Sequence, residues 1–165
     1  MEQTLPYRAE LDTAIAAASA AAAVVRDLYD RAAAAAYEKQ DGSVVTDADL
    51  AADRIIRDII GARFPDDGIL TEEVGDDPAR LTKRRCWIAD PIDGTQQFVE
   101  RTGDFDVLVA LVEAGRPIVA AGQQPTTGRL CVATRGGGAW VCDGDGPFRR
   151  VRFVPLASES APRLA

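Results

Sequence analysis

Two acidic residues on either side of a proline bend form the strongest candidate site in the sequence. Asp90 and Asp93 belong to the segment 90–95, which reads DPIDGT and directly follows the apolar run 86–89. Proline restricts the backbone at this bend, so both carboxylates can face one point, with the backbone carbonyl of Ile92 beside them. Oxygen ligands of this kind are those that hard divalent cations such as Mg²⁺ prefer. The segment therefore predicts a cation site at the end of a strand.

The two residues that end this segment favour an anion. Gly94 and Thr95 open a short predicted helix that runs to about residue 99. The N-terminus of a helix presents free N–H groups and a partial positive charge, which suit a phosphate. The alternative is that Asp-Gly-Thr is only a turn leading into a helix N-cap. For the whole segment after a buried strand, we favour adjacent cation and anion sites.

Two further acidic groups could join this site. Glu72 and Glu73 follow a short predicted strand over 68–71, although adjacent acids alone are typical of a solvated turn. Thr46 and Asp49 have the spacing of a capping box at the start of a helix. A capping aspartate can also hold another hydroxyl group, so the two interpretations of Asp49 are compatible.

The net charge and the absence of histidine exclude several classes of function. The chain has 165 residues, 19 basic and 26 acidic, for a net charge of −7. An acidic chain of this kind is repelled by nucleic-acid polymers and anionic membrane surfaces, so we expect neither as a partner. The sequence contains no histidine. Ser–His and Cys–His catalytic pairs and histidine-ligated zinc sites are therefore excluded.

The cysteines and the N-terminus favour a cytoplasmic location. There are three cysteines, an odd number, and two of them, Cys86 and Cys131, lie in strand-like runs. We expect these two to be buried and reduced, as in a reducing compartment. The N-terminal residues lack a basic region ahead of an apolar one, so no signal peptide is expected.

The pattern of apolar residues predicts an α+β domain. An alanine-rich helix is predicted over 11–37, a break at 41–43 and a second helix over 46–62. Strands with short turns follow, and short turns favour antiparallel neighbours. They are predicted over 68–71, 85–89, 105–113, 117–121, 129–134 and 139–142. The expected architecture is two N-terminal helices packed on a largely antiparallel sheet.

Together these segments resemble the lithium-sensitive, Mg²⁺-dependent phosphatases, a superfamily that includes inositol monophosphatases, fructose-1,6-bisphosphatases and bisphosphate nucleotidases. Segment 90–95 matches the family's D-P-I/L-D-G-T motif in full, 46–49 matches T-x-x-D, and 64–73 matches its F-P…E-E element. The resemblance implies that residues 1–154 form an N-terminal domain, the N-terminal half of the sugar-phosphatase fold. Residues 155–165 are expected to be a tail or linker. Nothing after Val154 resembles the second domain of family members, whose aspartate completes the metal site.

The resemblance also implies roles for individual residues. The side chains of Glu72, Asp90 and Asp93 and the carbonyl of Ile92 would bind two or more Mg²⁺ ions, with Li⁺ as an inhibitor. The N–H groups of Gly94 and Thr95 would bind phosphate. Thr95, held by Asp49, would activate the attacking water together with Glu72. The implied reaction is in-line hydrolysis of a phosphomonoester.

Within the superfamily the sequence leans towards the 3′(2′),5′-bisphosphate nucleotidases, which act on 3′-phosphoadenosine 5′-phosphate. Segment 98–105 is similar to their F-I/V-x-R-x-G-E/D-F stretch, and 70–73 is similar to their L-S-E-E. The substrate is expected to be a small phosphorylated metabolite. The alternatives are an inositol monophosphatase, or a truncated and catalytically weak module that binds metal and phosphate. A homodimer, or a separate chain supplying the second domain, would compensate for the missing half.

Overall fold

The computed structural model describes residues 5–38, 42–74 and 77–152. These residues form an α+β fold, as predicted. Three α-helices are described: α1 (Arg8–Arg31), α2 (Asp47–Arg63) and α3 (Thr95–Val99), with a 3₁₀ helix over Pro78–Thr82. The strands are β1 (Ala36–Glu38), β2 (Val44–Thr46), β3 (Gly68–Thr71), β4 (Arg85–Asp93), β5 (Asp106–Glu113), β6 (Arg116–Gln123), β7 (Leu130–Thr134), β8 (Gly138–Cys142) and β9 (Arg149–Val151).

The main sheet has seven strands in chain order, from β3 to β9. All neighbouring strands are antiparallel except β3 and β4, which run parallel. Parallel neighbours need a crossover connection, and the segment containing the 3₁₀ helix makes it. The prediction of a largely antiparallel sheet is confirmed. The parallel pair matters for the site because it places the carboxyl ends of β3 and β4 side by side.

Both long helices cover the same face of the sheet. α1 packs on α2, β5 and β6, and α2 packs on β4. Small side chains on α1, among them Ala14, Ala17 and Ala21, are fully buried and allow a close approach. Larger side chains from α2 and the sheet, such as Ile56 and Trp87, fill the space between the layers. This single layer of helices supports the strands that end at the candidate site.

The first helix is shorter than predicted. It ends at Arg31, and Ala32 adopts a left-handed conformation with φ 49°. Residues Ala36–Glu38 then pair with β2 instead of continuing the helix to residue 37. The carboxylate of Asp47 accepts hydrogen bonds from the N–H of Ala35 at 3.1 Å and the hydroxyl of Tyr37 at 3.2 Å. Pairing with the start of α2 thus outweighs the high helix propensity of the alanines.

The opposite face of the sheet is open and apolar in the described structure. Successive residues of a strand point to opposite faces, so Trp87 is buried beneath the helices while Ile88 is 42% exposed. Leu108 on β5 is also 38% exposed. The prediction that Cys86 and Cys131 are buried is wrong: Cys86 is half-buried and Cys131 is exposed. Segment 86–89 therefore has one covered face rather than two.

Other expectations concern the ends of the chain and the membrane. The predicted tail or linker at 155–165 lies outside the described residues. Within residues 5–38, 42–74 and 77–152, every helix is too short or too polar to cross a bilayer.

Candidate active site

The parallel pairing of β3 and β4 brings two acidic segments together. Thr71 lies opposite Ala89 in the register, so Glu72, which follows the end of β3, lies at the level of Asp90 in β4. Burial, followed by the charges of Glu72 and Asp93, raises the pKa of Asp90 from its ordinary value to about 6. The structure therefore brings together the three carboxylates that the sequence predicted as cation ligands.

A bulge in β4 turns the DPIDGT segment towards this point. Asp90 pairs with Leu108, but the next paired residue of β4 is Asp93, opposite Asp106. Within the bulge the N–H of Ile92 donates to Oδ1 of Asp90 at 3.1 Å. The Ile92 side chain is only 2% exposed and anchors the bend in the core. Two buried residues, Pro91 and Ile92, therefore lie between the two carboxylates and hold the bend in place.

The start of α2 supplies a second, fully hydrogen-bonded group. Thr46 caps the helix, and Oδ2 of Asp49 accepts from the backbone N–H of Thr46 at 2.8 Å and also from its hydroxyl. The predicted capping box is confirmed. The hydroxyl of Thr95 lies 3.1 Å from Oδ1 of Asp49 and 3.1 Å from the carbonyl oxygen of Ile92. One aspartate therefore caps α2 and holds Thr95.

Asp49 is buried at this junction, with 1% of its surface exposed. Burial raises the pKa of its carboxyl group, while the hydrogen bonds from Thr46 and Thr95 lower it; the net direction is upward. The two oxygens of Asp49 thus bind different groups. One stabilises the helix start, and the other orients a hydroxyl towards the carbonyl of Ile92.

Gly94 joins residues 90–93 to α3 and has a backbone conformation that strongly favours glycine. Its φ is +102°, and a Cβ there would lie 3.0 Å from the carbonyl oxygen of Asp104. α3 follows, and the N–H of Phe98 donates to the Gly94 carbonyl at 2.9 Å. The Phe98 ring packs on Tyr29 and Phe105, with ring centroids 5.4 and 5.2 Å away. This aromatic cluster holds the first turn of α3, with the N–H groups that helices leave unpaired there, beside Thr95.

The donor set fits a hard cation in its chemistry and charge. Glu72, Asp90 and Asp93 bring three carboxylates, and the carbonyl of Ile92 belongs to the residue directly before Asp93. Within the described ranges, no group of three or more acidic or thiol side chains is already closed around a point that would hold an ion.

Sequence reasoning missed two acidic residues around the site. Asp104 and Asp106 flank Phe105, and the pKa of Asp106 is raised by burial and then by the charges of Asp93 and Asp104. Asp53 is 4% exposed, and its Oδ1 has no hydrogen-bond partner among the described residues. Its spacing of four residues after Asp49 on α2 places both on one helix face.

Comparison with known proteins identifies the family. The model of the inositol monophosphatase family matches residues 8–162. The chain belongs to this family. Its members act as Mg²⁺-dependent phosphatases. The resemblance seen in the sequence motifs is therefore confirmed.

Individual relatives differ in their named activities. The 3′(2′),5′-bisphosphate nucleotidase CysQ of Aggregatibacter actinomycetemcomitans is 37% identical over 129 residues, covering 77% of this chain and 48% of the relative. A histidinol-phosphatase of Chlorobaculum parvum is 36% identical over 132 residues, covering 80% and 50%. The crystal structure of the extragenic suppressor protein SuhB from Bartonella henselae superposes with a TM-score of 0.75 at 29% identity, covering 87% of this chain and 54% of that one. The chain spans about half the length of the curated relatives it matches.

Proposed function

We propose that this chain carries the cation and phosphate side of a Mg²⁺-dependent phosphomonoesterase site. The observation that carries the proposal is the position of Ile92. Its N–H binds Asp90 at 3.1 Å, and its carbonyl oxygen lies 3.1 Å from the hydroxyl of Thr95, which also reaches Asp49. Ile92 thereby connects the Asp90 carboxylate to the Thr95 hydroxyl, which would orient the attacking water.

Four groups would hold two or more Mg²⁺ ions in this proposal: Glu72, Asp90, Asp93 and the carbonyl of Ile92. When bound, Mg²⁺ would act as a Lewis acid that neutralises the negative charge of the phosphate and lowers the pKa of a bound water molecule. Li⁺ is expected to inhibit by competing for the same ligands. The N–H groups of Gly94 and Thr95 would bind the phosphate oxygens at the start of α3.

The chain's own residues would orient the attacking water. The hydroxyl of Thr95 donates its proton to Oδ1 of Asp49, which leaves the lone pairs of the Thr95 oxygen to accept from water. As the water oxygen bonds to phosphorus, its proton passes to the Thr95 oxygen and the Thr95 proton passes to Asp49. Glu72 would assist by accepting from the same water. The ester P–O bond breaks, and the leaving oxygen takes a proton from solvent.

For the substrate we propose a 3′(2′),5′-bisphosphate nucleotide such as 3′-phosphoadenosine 5′-phosphate. Support comes from the relative named as such a nucleotidase and from the sequence of segment 98–105. In the structure Arg101 of this segment lies 4.2 Å over the Tyr29 ring and donates to the Tyr29 carbonyl at 2.7 Å. The arginine therefore fastens the segment to α1. Inositol 1-phosphate and, from a second relative, histidinol phosphate are the competing substrates.

The test is phosphate release from these three compounds, each with and without Mg²⁺. Asp93→Asn removes a predicted cation ligand, and Asp58→Asn on the exposed side of α2 is the matched control. We expect Mg²⁺-dependent turnover, fastest with the bisphosphate, that Asp93→Asn abolishes and Asp58→Asn leaves unchanged. Folded protein with no turnover on any compound would favour the weak metal- and phosphate-binding module. Turnover that Asp93→Asn leaves intact would overturn the assigned site.

We also propose that the chain self-associates through the open face of the sheet, forming a homodimer. The support is a concavity of about 630 Å³ lined by apolar side chains such as Ile88, Leu108 and Trp140. Exposed apolar patches of this kind mark interaction surfaces. Ultracentrifugation at micromolar concentration should find a dimer that Leu108→Lys converts to monomer. Monomer alone would contradict the homodimer, and binding of a separate C-terminal half of a relative would then indicate a partner chain.

A cytoplasmic location is part of the same proposal. No disulfide involves the three cysteines in the described part of the chain, and reduced thiols are typical of a reducing compartment. Fractionation of cells producing the chain should recover it with cytoplasmic markers. Recovery with periplasmic or membrane markers would contradict this location.

A further inference from the structure

A second polar cavity lies along β3, the edge strand of the main sheet. It has a volume of about 330 Å³, at the small end of the range for small-molecule pockets. Three basic side chains line it: Arg57 from α2, Arg80 from the 3₁₀ helix, and Lys83 just after that helix. Among the described residues that line it there is no proposed ligand of Mg²⁺ or of the substrate phosphate. The cavity is therefore distinct from the candidate active site, although its Thr71 directly precedes Glu72.

The two acidic side chains that line this cavity, Asp67 and Asp77, already contact other groups of the protein. Oδ2 of Asp67 lies 3.1 Å from Nε of Arg85 and accepts from the indole N–H of Trp87 at 3.0 Å. Oδ1 of Asp77 accepts from the backbone N–H of Ala79 at 2.9 Å. In contrast, the side chains of Arg57 and Lys83 have no hydrogen bond or ion pair with any described residue. Among the described residues, Arg57 and Lys83 thus line the cavity without an ion-pair partner.

A buried hydroxyl in the same cavity points independently to a ligand. Thr71 lines the cavity and is 5% exposed. Its Oγ1 has no hydrogen-bond partner within the described part of the chain. A buried polar group without a partner costs stability, and such groups in native proteins call for an explanation. A hydroxyl donates readily to an anionic oxygen, and the neighbouring basic side chains would hold that anion.

We propose that this cavity is a second phosphate-binding site, in which Arg57 and Lys83 provide charge and Thr71 donates a hydrogen bond. The ligand is a tetrahedral phosphate group, from inorganic phosphate or from the second phosphate of a bisphosphorylated substrate. The site needs no Mg²⁺, so it stands or falls separately from the proposed hydrolytic activity.

The first test is an NMR titration of the full chain with inorganic phosphate in EDTA. Saturable shifts are expected at the amides of Thr71 and Lys83. Arg57→Gln with Lys83→Gln should weaken binding by about tenfold or more, the factor for losing a hydrogen bond to a charged group. Arg54→Gln with Arg84→Gln removes the same charge outside the cavity and should change affinity less than about twofold. Shifts confined to Gly94 and Thr95, no saturable binding, or equal weakening by both pairs would overturn the site.

Thr71→Val gives a second test because it keeps the shape of the side chain and removes the hydroxyl. Without phosphate the variant should melt at the same temperature as the wild type or higher, since the unpartnered buried oxygen is gone. With phosphate it should gain less thermal stability than the wild type. A variant that is destabilised without phosphate, yet gains as much from phosphate as the wild type, would show a purely structural hydroxyl.

The source of the phosphate is decided by comparing adenosine 3′,5′-bisphosphate with AMP in EDTA. If the cavity takes the second phosphate of a substrate, the Arg57 and Lys83 double variant should weaken the bisphosphate more than AMP. Equal weakening of the two nucleotides would assign the site to any accessible phosphate group. Unchanged affinity for both, together with unchanged affinity for inorganic phosphate, would contradict the proposal.

Discussion

The two sides of the candidate active site differ in how they are held. On the hydroxyl side, Asp49 accepts from Thr46 and lies 3.1 Å from the hydroxyl of Thr95, so its oxygens are satisfied within the protein. On the carboxylate side, Glu72 and Asp93 raise the pKa of Asp90, which means that the negative charges oppose one another. The hydroxyl side is hydrogen-bonded within the protein, whereas on the carboxylate side the charges of Glu72 and Asp93 act against that of Asp90.

This difference separates what the chain builds for itself from what it needs a ligand to complete. A capping box is local and forms with its helix, so it contributes to folding directly. Carboxylates from two strands are brought together only by the sheet, and their repulsion is a cost that a cation removes. Variants on the hydroxyl side should therefore change stability, and variants on the carboxylate side should change the response to Mg²⁺.

The largest effect is expected at Gly94, which connects the two sides. Gly94→Ala places a side chain at φ +102° and 3.0 Å from the carbonyl of Asp104. The strained backbone and the close contact together should lower the free energy of unfolding by about 3 kcal/mol. Chemical denaturation measures this, with Gly61→Ala in open space on α2 as the control. Gly61→Ala should leave the free energy of unfolding unchanged or raise it, because alanine is the better helix former. The same outcome for Gly94→Ala would show that this turn is not constrained.

A smaller loss is expected on the hydroxyl side. Asp49→Ala removes the acceptor of the capping box and leaves the N–H of Thr46 without its 2.8 Å partner. The expected decrease in unfolding free energy is about 2 kcal/mol. Asp58→Ala, on an exposed turn of the same helix, should cost less than about 0.5 kcal/mol. Equal denaturation midpoints for the two variants would contradict the assigned role of Asp49.

The smallest change in the free energy of unfolding is expected for a substitution of Asp90 in EDTA. This change is an increase, whereas the two substitutions above lower the stability. The folded-state pKa of Asp90, about 6, lies above the ordinary value of 3.8, so the folded chain keeps a proton that the unfolded chain releases. The protonated Asp90 therefore contributes stability that is fully present below pH 3.8 and is lost as the pH rises through about 6.

Asp90→Asn should therefore stabilise the cation-free protein at pH 7 by roughly 1–2 kcal/mol, less than the full shift because the carboxyl is partly solvated. It should also reduce the decrease in stability between pH 4 and 7. Thermal melts across this range test both points. Some slope should remain because burial raises the pKa of Asp49 and Asp106 too. A variant less stable than the wild type at pH 7 would contradict the repulsion.

Several features were predictable because they depend on residues close in the sequence. The capping box at Thr46 and Asp49 and the start of α2 follow from local chemistry, and the structure has both. The turns between β5 and β8 are short, which made their antiparallel order predictable. The irregularity at Pro91 was likewise visible in the sequence, but β4 continues through it to Asp93 instead of ending at residue 89 as predicted.

Other features depend on partners distant in the sequence. The parallel pairing that brings Glu72 beside Asp90 requires a crossover that spacing does not reveal. The alanine run suggested helix up to residue 37, but pairing of Ala36–Glu38 with β2 overrides that propensity. Cys131 is exposed because helices cover only one face of the sheet. Which face is covered is a property of the packing rather than of any single strand.

The central claim, that Glu72, Asp90 and Asp93 form a cation site opposed by their own charge, is tested by melting the protein in Mg²⁺. Wild type, Asp93→Asn and Asp49→Asn would each be melted at pH 7.5 in MgCl₂ or in NaCl of equal ionic strength. At saturating Mg²⁺ the wild type should gain roughly 5 °C over NaCl. Asp49→Asn should start lower and gain as much, while Asp93→Asn should gain nothing. An equal gain in NaCl, or the same Mg²⁺ gain in Asp93→Asn as in the wild type, would contradict the account.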